Sequence, residues 1–370
     1  MKSVSIVGGG IAGLLAAIQL ARAGIPCTLF EKKSYPFHRV CGEYISNEAV
    51  PFLESQKLFP SEYKPAQINR LMLSSVAGKS EVAALDLGGF GISRYTFDNF
   101  LYEKAVDAGV AMELNATVEG VEFLGSSFRI AALGREFESD VVIAAHGKRS
   151  GLDIKMRRAF VMKRSPFLGV KYHVRYDHPS DLVALHNFPG GYCGVNRVEN
   201  ELVNLCYLVQ RDKLKTSGSI PELEERILFQ NPLLREIFRN AHFIFPKPET
   251  INEISFETKL PVEDHLLMVG DSAGMITPLC GNGMAMAMHA SLIASRVVTR
   301  FCSDTSYSRS RMEHDYRREW MRHFRMRLWL GRQIQNLFGS ERTSGLAVML
   351  LKNRMIANAI IRNTHGEPFR

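Results

Sequence analysis

The sequence predicts an α/β protein, α+β overall, with a Rossmann-like domain, an inserted, mostly antiparallel sheet and a C-terminal helical segment. Three observations predict this. A buried apolar strand at Val4–Val7 runs into a glycine turn and a helix. Alternating strands separated by turns dominate residues 160–257. The last stretch, 302–370, has a helical pattern and is rich in arginine.

The turn after the first strand carries the pattern G-x-G-x-x-G at Gly8, Gly10 and Gly13. The first glycine permits a tight turn, the second lets a pyrophosphate approach the backbone, and the third lets the helix pack close to the strand. The helix, predicted from Leu14 to Ala23, would point its N-terminal amides at that phosphate. This arrangement predicts a dinucleotide site.

A second apolar strand, predicted at Cys27–Glu31, ends in an acid. Glu31 lies 18 residues beyond Gly13, about where a carboxylate binds the ribose hydroxyls of an adenosine. The alternative is an ordinary βαβ unit without a ligand. The order of strand, glycine turn, helix and acid favours the dinucleotide site.

Composition and charge limit the classes of protein to which the chain can belong. The chain has 370 residues, 46% of them hydrophobic, which suggests two domains, and a formal net charge of +8. That charge suits anionic substrates, a membrane surface or nucleic acid, but no RNP-like or helix-turn-helix pattern supports nucleic acid. No apolar run is long enough to span a membrane, and because Met1 passes directly into the first strand we expect no secretory signal. Six scattered cysteines without metal-ligand spacing then predict a cytoplasmic protein with free thiols and no metal site.

The other predicted elements follow from periodicity, caps and turn residues. They are a helix at 45–60, short strands within 68–91, a helix Phe97–Ala108 capped by Thr96, strands Val110–Leu114 and Val118–Phe123, a hairpin at 127–138, a strand at 140–147, strands Phe167–Arg175, Asp181–Phe188, Tyr192–Val198 and Leu202–Val209, helices Pro221–Phe229 and Pro232–Arg239, a strand before Gly270, and helices Met284–Phe301 and Tyr316–Phe338.

Two further stretches have ligand-binding character. Arg39, in a basic loop, is placed either to neutralise a phosphate or to lie on the solvated surface, and Gly42 lets the backbone beside Cys41 approach a ligand. A single cysteine is more often structural than reactive. Asp271 follows a buried strand, at the carboxyl end of the sheet where such folds bind ligands. The glycines before Met284 offer a second helix N-terminus to an electron-rich oxygen.

With these parts in order, the chain resembles the FAD-dependent oxidoreductases of the superfamily that joins p-hydroxybenzoate-hydroxylase-like enzymes to geranylgeranyl reductases. The resemblance covers about 1–340. The Val40–Gly42 loop is similar to the Cys-Gly loop of the reductase branch. The run from Gly270 to Gly283 is similar to that branch's Gly-Asp-Ala-Ala-Gly segment and the Pro and Gly-Gly after it.

The resemblance implies an FAD-binding domain at 1–67, 92–159 and 258–301, a substrate domain at 68–91 and 160–257, and a helical region at 302–370. It implies that Arg39 and Arg94 lie along the phosphate and ribityl part of FAD, that Val118 packs at the adenine, and that 281–284 face the isoalloxazine. The implied cofactor-binding residues are Gly8, Gly10, Ile11, Ala12, Gly13, Glu31, Lys32, Arg39, Cys41, Gly42, Arg94, Val118, Gly147, Gly270, Asp271, Pro278, Gly281, Asn282, Gly283 and Met284. No catalytic residue is assigned.

The chain departs from the superfamily pattern in two places. His146 stands where the superfamily has the aspartate of an Asp-Gly strand end. The reductases' aromatic substrate motif, Gly-Tyr-x-Trp followed by Phe-Pro, is present only as its Gly-Tyr start within 191–196. We expect Tyr192, Cys193 and Asn196 to bind substrate, although strand alternation predicts that not all three face inward.

The expected function is the reduction of C=C bonds in an isoprenoid or other lipid-like, hydrophobic substrate by reduced FAD. One dinucleotide pattern implies that NAD(P)H or a protein electron donor acts as a transient reductant. An NAD(P)H-dependent monooxygenase that hydroxylates an aromatic or polyketide substrate is the alternative. A noncatalytic basic flavoprotein or binding protein is a third class.

The basic segment Tyr316–Phe338 raises the question of membrane contact. Arginines alternate there with apolar side chains, which is typical either of a peripheral membrane helix or of a helix packed on the core with a solvated basic face. Trp320 and Trp329 are nine residues apart, about 180° around a helix, so one of them should pack on the protein. We therefore expect the core-packed arrangement, with peripheral membrane contact as the alternative.

Overall fold

The computed structural model describes residues 2–163, 165–335, 338–353, 355 and 364–370. The strands are β1 Val4–Val7, β2 Cys27–Glu31, β3 Tyr44–Ser46, β4 Ala66–Ser74, β5 Ser80–Gly91, β6 Ala111–Leu114, β7 Val118–Phe123, β8 Phe128–Ala132, β9 Arg135–Ser139, β10 Val141–Ala144, β11 Phe167–Arg175, β12 Leu182–Phe188, β13 Gly191–Arg197, β14 Val203–Gln210, β15 His242–Phe243, β16 Glu249–Ile254, β17 Val262–Glu263 and β18 Leu266–Met268. The helices are α1 Ile11–Arg22, α2 Val50–Ser55, α3 Arg94–Asp107, α4 Gly151–Lys155, α5 Arg211–Ser217, α6 Ile220–Arg226, α7 Pro232–Asn240, α8 Gly283–Ser303, α9 Arg309–Gln335 and α10 Glu341–Lys352.

The first sheet has the order β17-β18-β10-β1-β2-β6 and is parallel except for β17. The central strand β1 is buried throughout, and its neighbours pair in register with it on both sides, Val4 with Val141 and with Cys27. Buried apolar residues of α1, α3 and α8 pack with these strands in one hydrophobic core. This is the predicted Rossmann-like arrangement.

The turn between β1 and α1 is tighter than the predicted helix start implies. Helix α1 begins at Ile11, so Gly13 lies in its first turn. A Cβ at Gly13 would overlap the carbonyl oxygen of Gly8, and Gly8 itself has φ +107°. Glycine is therefore required at both positions by the close contact between the helix and the strand end.

The second sheet has the order β15-β11-β14-β13-β12-β4-β5-β3, with β16 paired to β11. All pairs are antiparallel except β4 with β12. β4 and β5 are long strands rather than the predicted short ones, and β3 forms within the stretch predicted as helical at 45–60. Only α2 and a preceding 3₁₀ turn are helical there, because Tyr44–Ser46 pairs with the end of β5.

Smaller differences concern helix ends. Ser93, not Thr96, caps α3, since the Ser93 side chain accepts a hydrogen bond from the Thr96 amide. Helix α5 was not predicted, and α6 ends at Arg226, short of the predicted Phe229. Helix α9 begins at Arg309, upstream of the predicted start, and the predicted continuation through 336–337 lies outside the described residues.

The two tryptophans of α9 lie on opposite sides, as their spacing predicts. Trp320 is 3% exposed and packs in the main core with Phe324, whereas Trp329 is 49% exposed. Arg327 is also buried, where it pairs with Glu48 at 2.8 Å. Helix α9 is therefore docked on the core with a basic outer face. None of the described helices is both long enough and apolar enough to cross a membrane.

Candidate functional site

One cavity of about 950 Å³ lies between the two sheets. Its volume is near the upper end of the ~300–1,000 Å³ range of ligand pockets. The ends of β1, β2 and β10 and the start of α8 form one half of its wall. Strands of the second sheet and helix α10 form the other half. We call these the cofactor half and the apolar half.

Two helix N-termini open onto the cofactor half. Helix α1 starts after Gly10 and helix α8 after Asn282, and neither has a side-chain cap or an acidic residue in its first turn. Ile11 and Gly283, the first residues of the two helices, line the cavity. A Cβ at Gly10 would meet no atom closer than 3.7 Å, so a ligand can reach this backbone. Both positive helix ends therefore suit the pyrophosphate and carbonyl oxygens of FAD.

Two arginines are held at the cavity wall by Asp98, which is 1% exposed. Arg94 donates two hydrogen bonds to its carboxylate, from Nε at 2.6 Å and Nη2 at 2.8 Å, and Arg39 donates one from Nε at 3.0 Å. The shared carboxylate orients both guanidinium groups. Sequence reasoning missed Asp98, although its (i, i+4) spacing from Arg94 on a helix was a usable signal.

Glu31 ends β2 and lies beside the glycine turn. Its carboxylate accepts hydrogen bonds from the backbone amides of Gly9, at 2.8 Å, and Lys33, at 3.1 Å, and from Arg39 Nη2 at 3.3 Å. Glu31, Lys32 and Val118 all line the cavity. The predicted ribose-binding acid is therefore fixed in place by the turn that it follows.

A buried ionic group joins the two halves. Glu43 is fully buried in the loop after Arg39, and it accepts hydrogen bonds from Lys171 Nζ and from His173 Nε2, the latter at 2.6 Å. Both partners belong to β11 of the second sheet. Burial works against the charge of Glu43, but Lys171 and His173 outweigh it and lower its pKa to about 2. The sequence contained no motif for this group.

His146 lines the cavity at the place of the absent carboxylate, and its imidazole takes part in a buried ionic network. Its Nε2 lies 3.0 Å from Asp153, which also pairs with Arg158 at 2.8 Å. The imidazole is 5% exposed, and it contributes to the cavity wall without supplying the carboxylate that the superfamily has there. The neighbouring Gly147 lines the cavity, and its amide donates to Ser272 Oγ at 2.9 Å.

At the end of β18, Gly270 and Asp271 line the cavity as predicted. Burial raises the pKa of the Asp271 carboxyl, an effect that the nearby Lys259 opposes. Lys259 Nζ donates to the carbonyl oxygens of Asp271 and Lys148, each at 2.7 Å, and burial lowers its pKa to about 8. This lysine therefore ties the turn after β18 to the turn after β10.

The apolar half is lined by side chains that come from distant parts of the chain. Tyr192 and Asn196 face the cavity, but Cys193 does not: it is fully buried in the core that β13 forms with α6 and α7. The expectation for Cys193 is wrong because successive strand side chains point to opposite faces. The apolar residues of this half are Leu71, Leu73, Leu85, Val183, Leu185, Leu208, Ile251, Ile254, Met275, Leu279, Ile334, Phe338, Ala347, Leu350 and Leu351.

The structure brings the predicted cofactor residues to one wall. Gly8, Gly10, Ile11, Ala12, Cys41, Gly42, Pro278, Gly281, Asn282, Gly283 and Met284 line the cavity with the residues described above. Gly13 is the exception, because it lies behind the turn against Gly8. Sequence reasoning missed the contribution of α10 and of Thr364 and His365, which follow no recognisable motif.

Comparisons with known proteins give the family and the fold of this chain. The profile of the FAD binding domain family matches residues 1–299. A digeranylgeranylglycerophospholipid reductase from Methanocaldococcus jannaschii is 30% identical over 334 residues, 86% of this chain and 81% of that protein. A geranylgeranyl bacteriochlorophyll reductase-like protein from Thermoplasma acidophilum superimposes with a TM-score of 0.79 at 19% identity, covering 100% and 96% of the two chains. The flavin-dependent brominase Bmp2 superimposes with a TM-score of 0.80 at 18% identity, covering 100% of this chain and 94% of that chain. These two structures share the fold.

Proposed function

Because this chain belongs to the FAD binding domain family and is an FAD-dependent oxidoreductase of the geranylgeranyl reductase and p-hydroxybenzoate-hydroxylase-like superfamily, we propose that it reduces C=C bonds of an isoprenoid or similar lipid-like substrate. The observation that carries the proposal is the apolar half of the cavity. It adjoins the Gly281–Met284 turn, where the isoalloxazine is expected, and continues along the second sheet to α10. A branched hydrocarbon chain gains about 0.8 kcal/mol for each CH₂ group that it buries in such a wall.

When bound, FAD supplies the hydride chemistry. The chain's residues would bind and orient it: the two helix N-termini would receive its anionic and electron-rich oxygens, and Arg39 and Arg94, which Asp98 orients, would lie beside its phosphates. Tyr192 and the leucines of the second sheet exclude water from the reacting double bond. NAD(P)H or a reduced protein would supply electrons transiently, since the sequence carries one dinucleotide pattern.

Product analysis under anaerobic conditions tests the reduction. Purified protein loaded with FAD and reduced by dithionite would be mixed with a geranylgeranyl lipid, and the products analysed by mass spectrometry. We expect products that have gained two hydrogen atoms for each double bond. Products that appear only in air and have gained oxygen would instead establish the monooxygenase alternative.

We also propose that α9 and α10 contact the membrane that contains the substrate. Exposed apolar side chains on these helices include Met326, Trp329 and Met349, and α9 also carries the exposed Arg322 and Arg325. Other residues of the same helices, Ile334 of α9 and Ala347, Leu350 and Leu351 of α10, line the apolar half. A lipid tail could thus pass from an anionic surface into the cavity over a short distance.

A further inference from the structure

The C-terminal segment 364–370 docks against the start of α8, where the isoalloxazine is expected. Asn282, the residue before α8, donates a hydrogen bond from Nδ2 to the Thr364 carbonyl oxygen at 2.9 Å, in a buried position. Thr364 and His365 line the cavity next to Gly281 and Gly283. Segment 364–370 therefore supplies part of the cofactor wall, although Thr364 lies 82 residues beyond Asn282.

A second anchor holds the segment from the other side. The Phe369 amide donates to the Glu48 carbonyl oxygen at 3.2 Å, and the Phe369 ring is 8% exposed. This ring stacks on His289 of α8, with centroids 4.4 Å apart and planes at 7°, and lies 5.5 Å from Phe52. Burial of this ring removes apolar surface from water and so stabilises the docked segment.

A third anchor is the contact of Gly366 with a buried ion pair, which leaves little space for a side chain at position 366. Glu48 is 1% exposed and Arg327 8% exposed, and they pair at 2.8 Å. A Cβ at Gly366 would overlap Glu48 Oε2 and come within 2.6 Å of Arg327 Nη1. Burial raises the pKa of Glu48, while Arg327 and the Gly366 amide favour its charged form. An alanine at position 366 would therefore force the paired ends of Glu48 and Arg327 to shift.

We propose that segment 364–370 is a structural part of the FAD site and that Glu48 and Arg327 are its positioning residues. This inference rests on the proposed placement of the isoalloxazine at Gly281–Met284. Its three anchors bind α8, α9 and the loop after β3 to one another across the cofactor half. Loosening the segment should remove part of the wall beside the expected isoalloxazine and should therefore speed FAD release.

Release of FAD from the holoprotein tests the proposal. Two variants loosen the segment: Gly366→Ala, and a chain that ends at residue 363. The control is Glu367→Gln, since Glu367 is exposed in the same segment. The recovery of flavin fluorescence on dilution would be measured, with circular dichroism of each apoprotein as the check on folding. We expect release at least about tenfold faster for the two loosened variants and unchanged for the control.

Carboxypeptidase digestion of the wild-type protein provides a readout that needs no variant. Bound FAD should slow removal of the terminal residues, because the cofactor and the segment support each other. Wild-type release rates in both loosened variants, or digestion that FAD does not slow, would overturn the inference. If wild-type protein takes up no FAD, the cofactor site itself is wrong, which is a separate and recognisable outcome.

Discussion

The two halves of the cavity are built from different parts of the polypeptide. The cofactor half uses backbone: the glycine turn at Gly8, two uncapped helix ends, and carboxylates such as Asp98 and Glu31 that lock the charged groups around it. The apolar half uses side chains at alternate strand positions, such as Tyr192, and residues of α10. Binding of a common cofactor therefore requires particular backbone shapes, whereas binding of a lipid chain requires only a continuous apolar wall.

Glu43 and Lys171 hold these halves together, and removing one partner should have the largest effect. Lys171→Met keeps the length of a side chain that is 2% exposed but leaves the Glu43 charge buried without its main partner. We expect the free energy of unfolding to fall by about 3–5 kcal/mol, measured by urea denaturation. Lys79→Met, at an exposed lysine, is the control and should change little.

The buried Glu43 carboxylate should also make the stability of the protein depend on pH. The folded-state pKa of Glu43, about 2, is below its ordinary value, so its contribution is complete above that ordinary value and is lost as the pH falls toward 2. Glu43→Gln should flatten the acid limb of the stability curve and should recover part of the loss in a double variant with Lys171→Met. An unchanged acid limb would show that the buried pair does not hold the halves together.

A substitution that blocks the cofactor half should have the next largest effect. In Gly10→Val the nearest protein atom to the new Cβ would be 3.7 Å away, so the fold should persist. The valine side chain would then occupy the path of the pyrophosphate. We expect FAD affinity to fall at least about 100-fold, which corresponds to roughly 2.7 kcal/mol, in fluorescence titrations. Gly120→Val, on β7 outside the cavity, is the control and should bind FAD normally.

Substitutions at two neighbouring residues of β13 test whether the apolar half binds the substrate. Tyr192→Ala removes a cavity-facing ring and should raise the KM for a lipid-like substrate about tenfold. Cys193→Ala changes the opposite face and should lower stability by about 1 kcal/mol without changing KM. Equal KM values for the two variants would place the substrate elsewhere.

The membrane proposal predicts the smallest effect for each residue. Arg318, Arg322 and Arg325 on the outer face of α9 should each contribute about 1 kcal/mol to binding of anionic liposomes at low salt. Replacing all three by alanine should abolish cosedimentation. The control replaces Arg22, Arg129 and Arg135, which removes the same charge elsewhere on the protein. This control variant should still cosediment with the liposomes. Failure of the wild-type protein to bind at low salt would remove the membrane step.

The contrast between the halves also explains what the sequence could predict. A site made of backbone leaves a compact motif, so the glycines and Glu31 could be predicted from their spacing and from the order of strand, turn, helix and acid. Apolar wall residues follow the same alternation as any strand, and the inward face of β13 could not be chosen until its pairing was known. Lys171 and Glu43 meet across 128 residues, and Thr364 reaches Asn282 across 82, so neither contact left a local pattern.

The central claim is that both halves form one cavity, in which reduced FAD meets an apolar chain. Stopped-flow absorbance under anaerobic conditions tests it most directly, with dithionite-reduced enzyme mixed with a geranylgeranyl lipid. Leu185→Trp, which narrows the apolar half at β12, would be measured beside the wild type. We predict that the oxidised flavin spectrum returns without oxygen in the wild type and returns more slowly in the variant. A flavin that stays reduced in both proteins until air is admitted would contradict the claim.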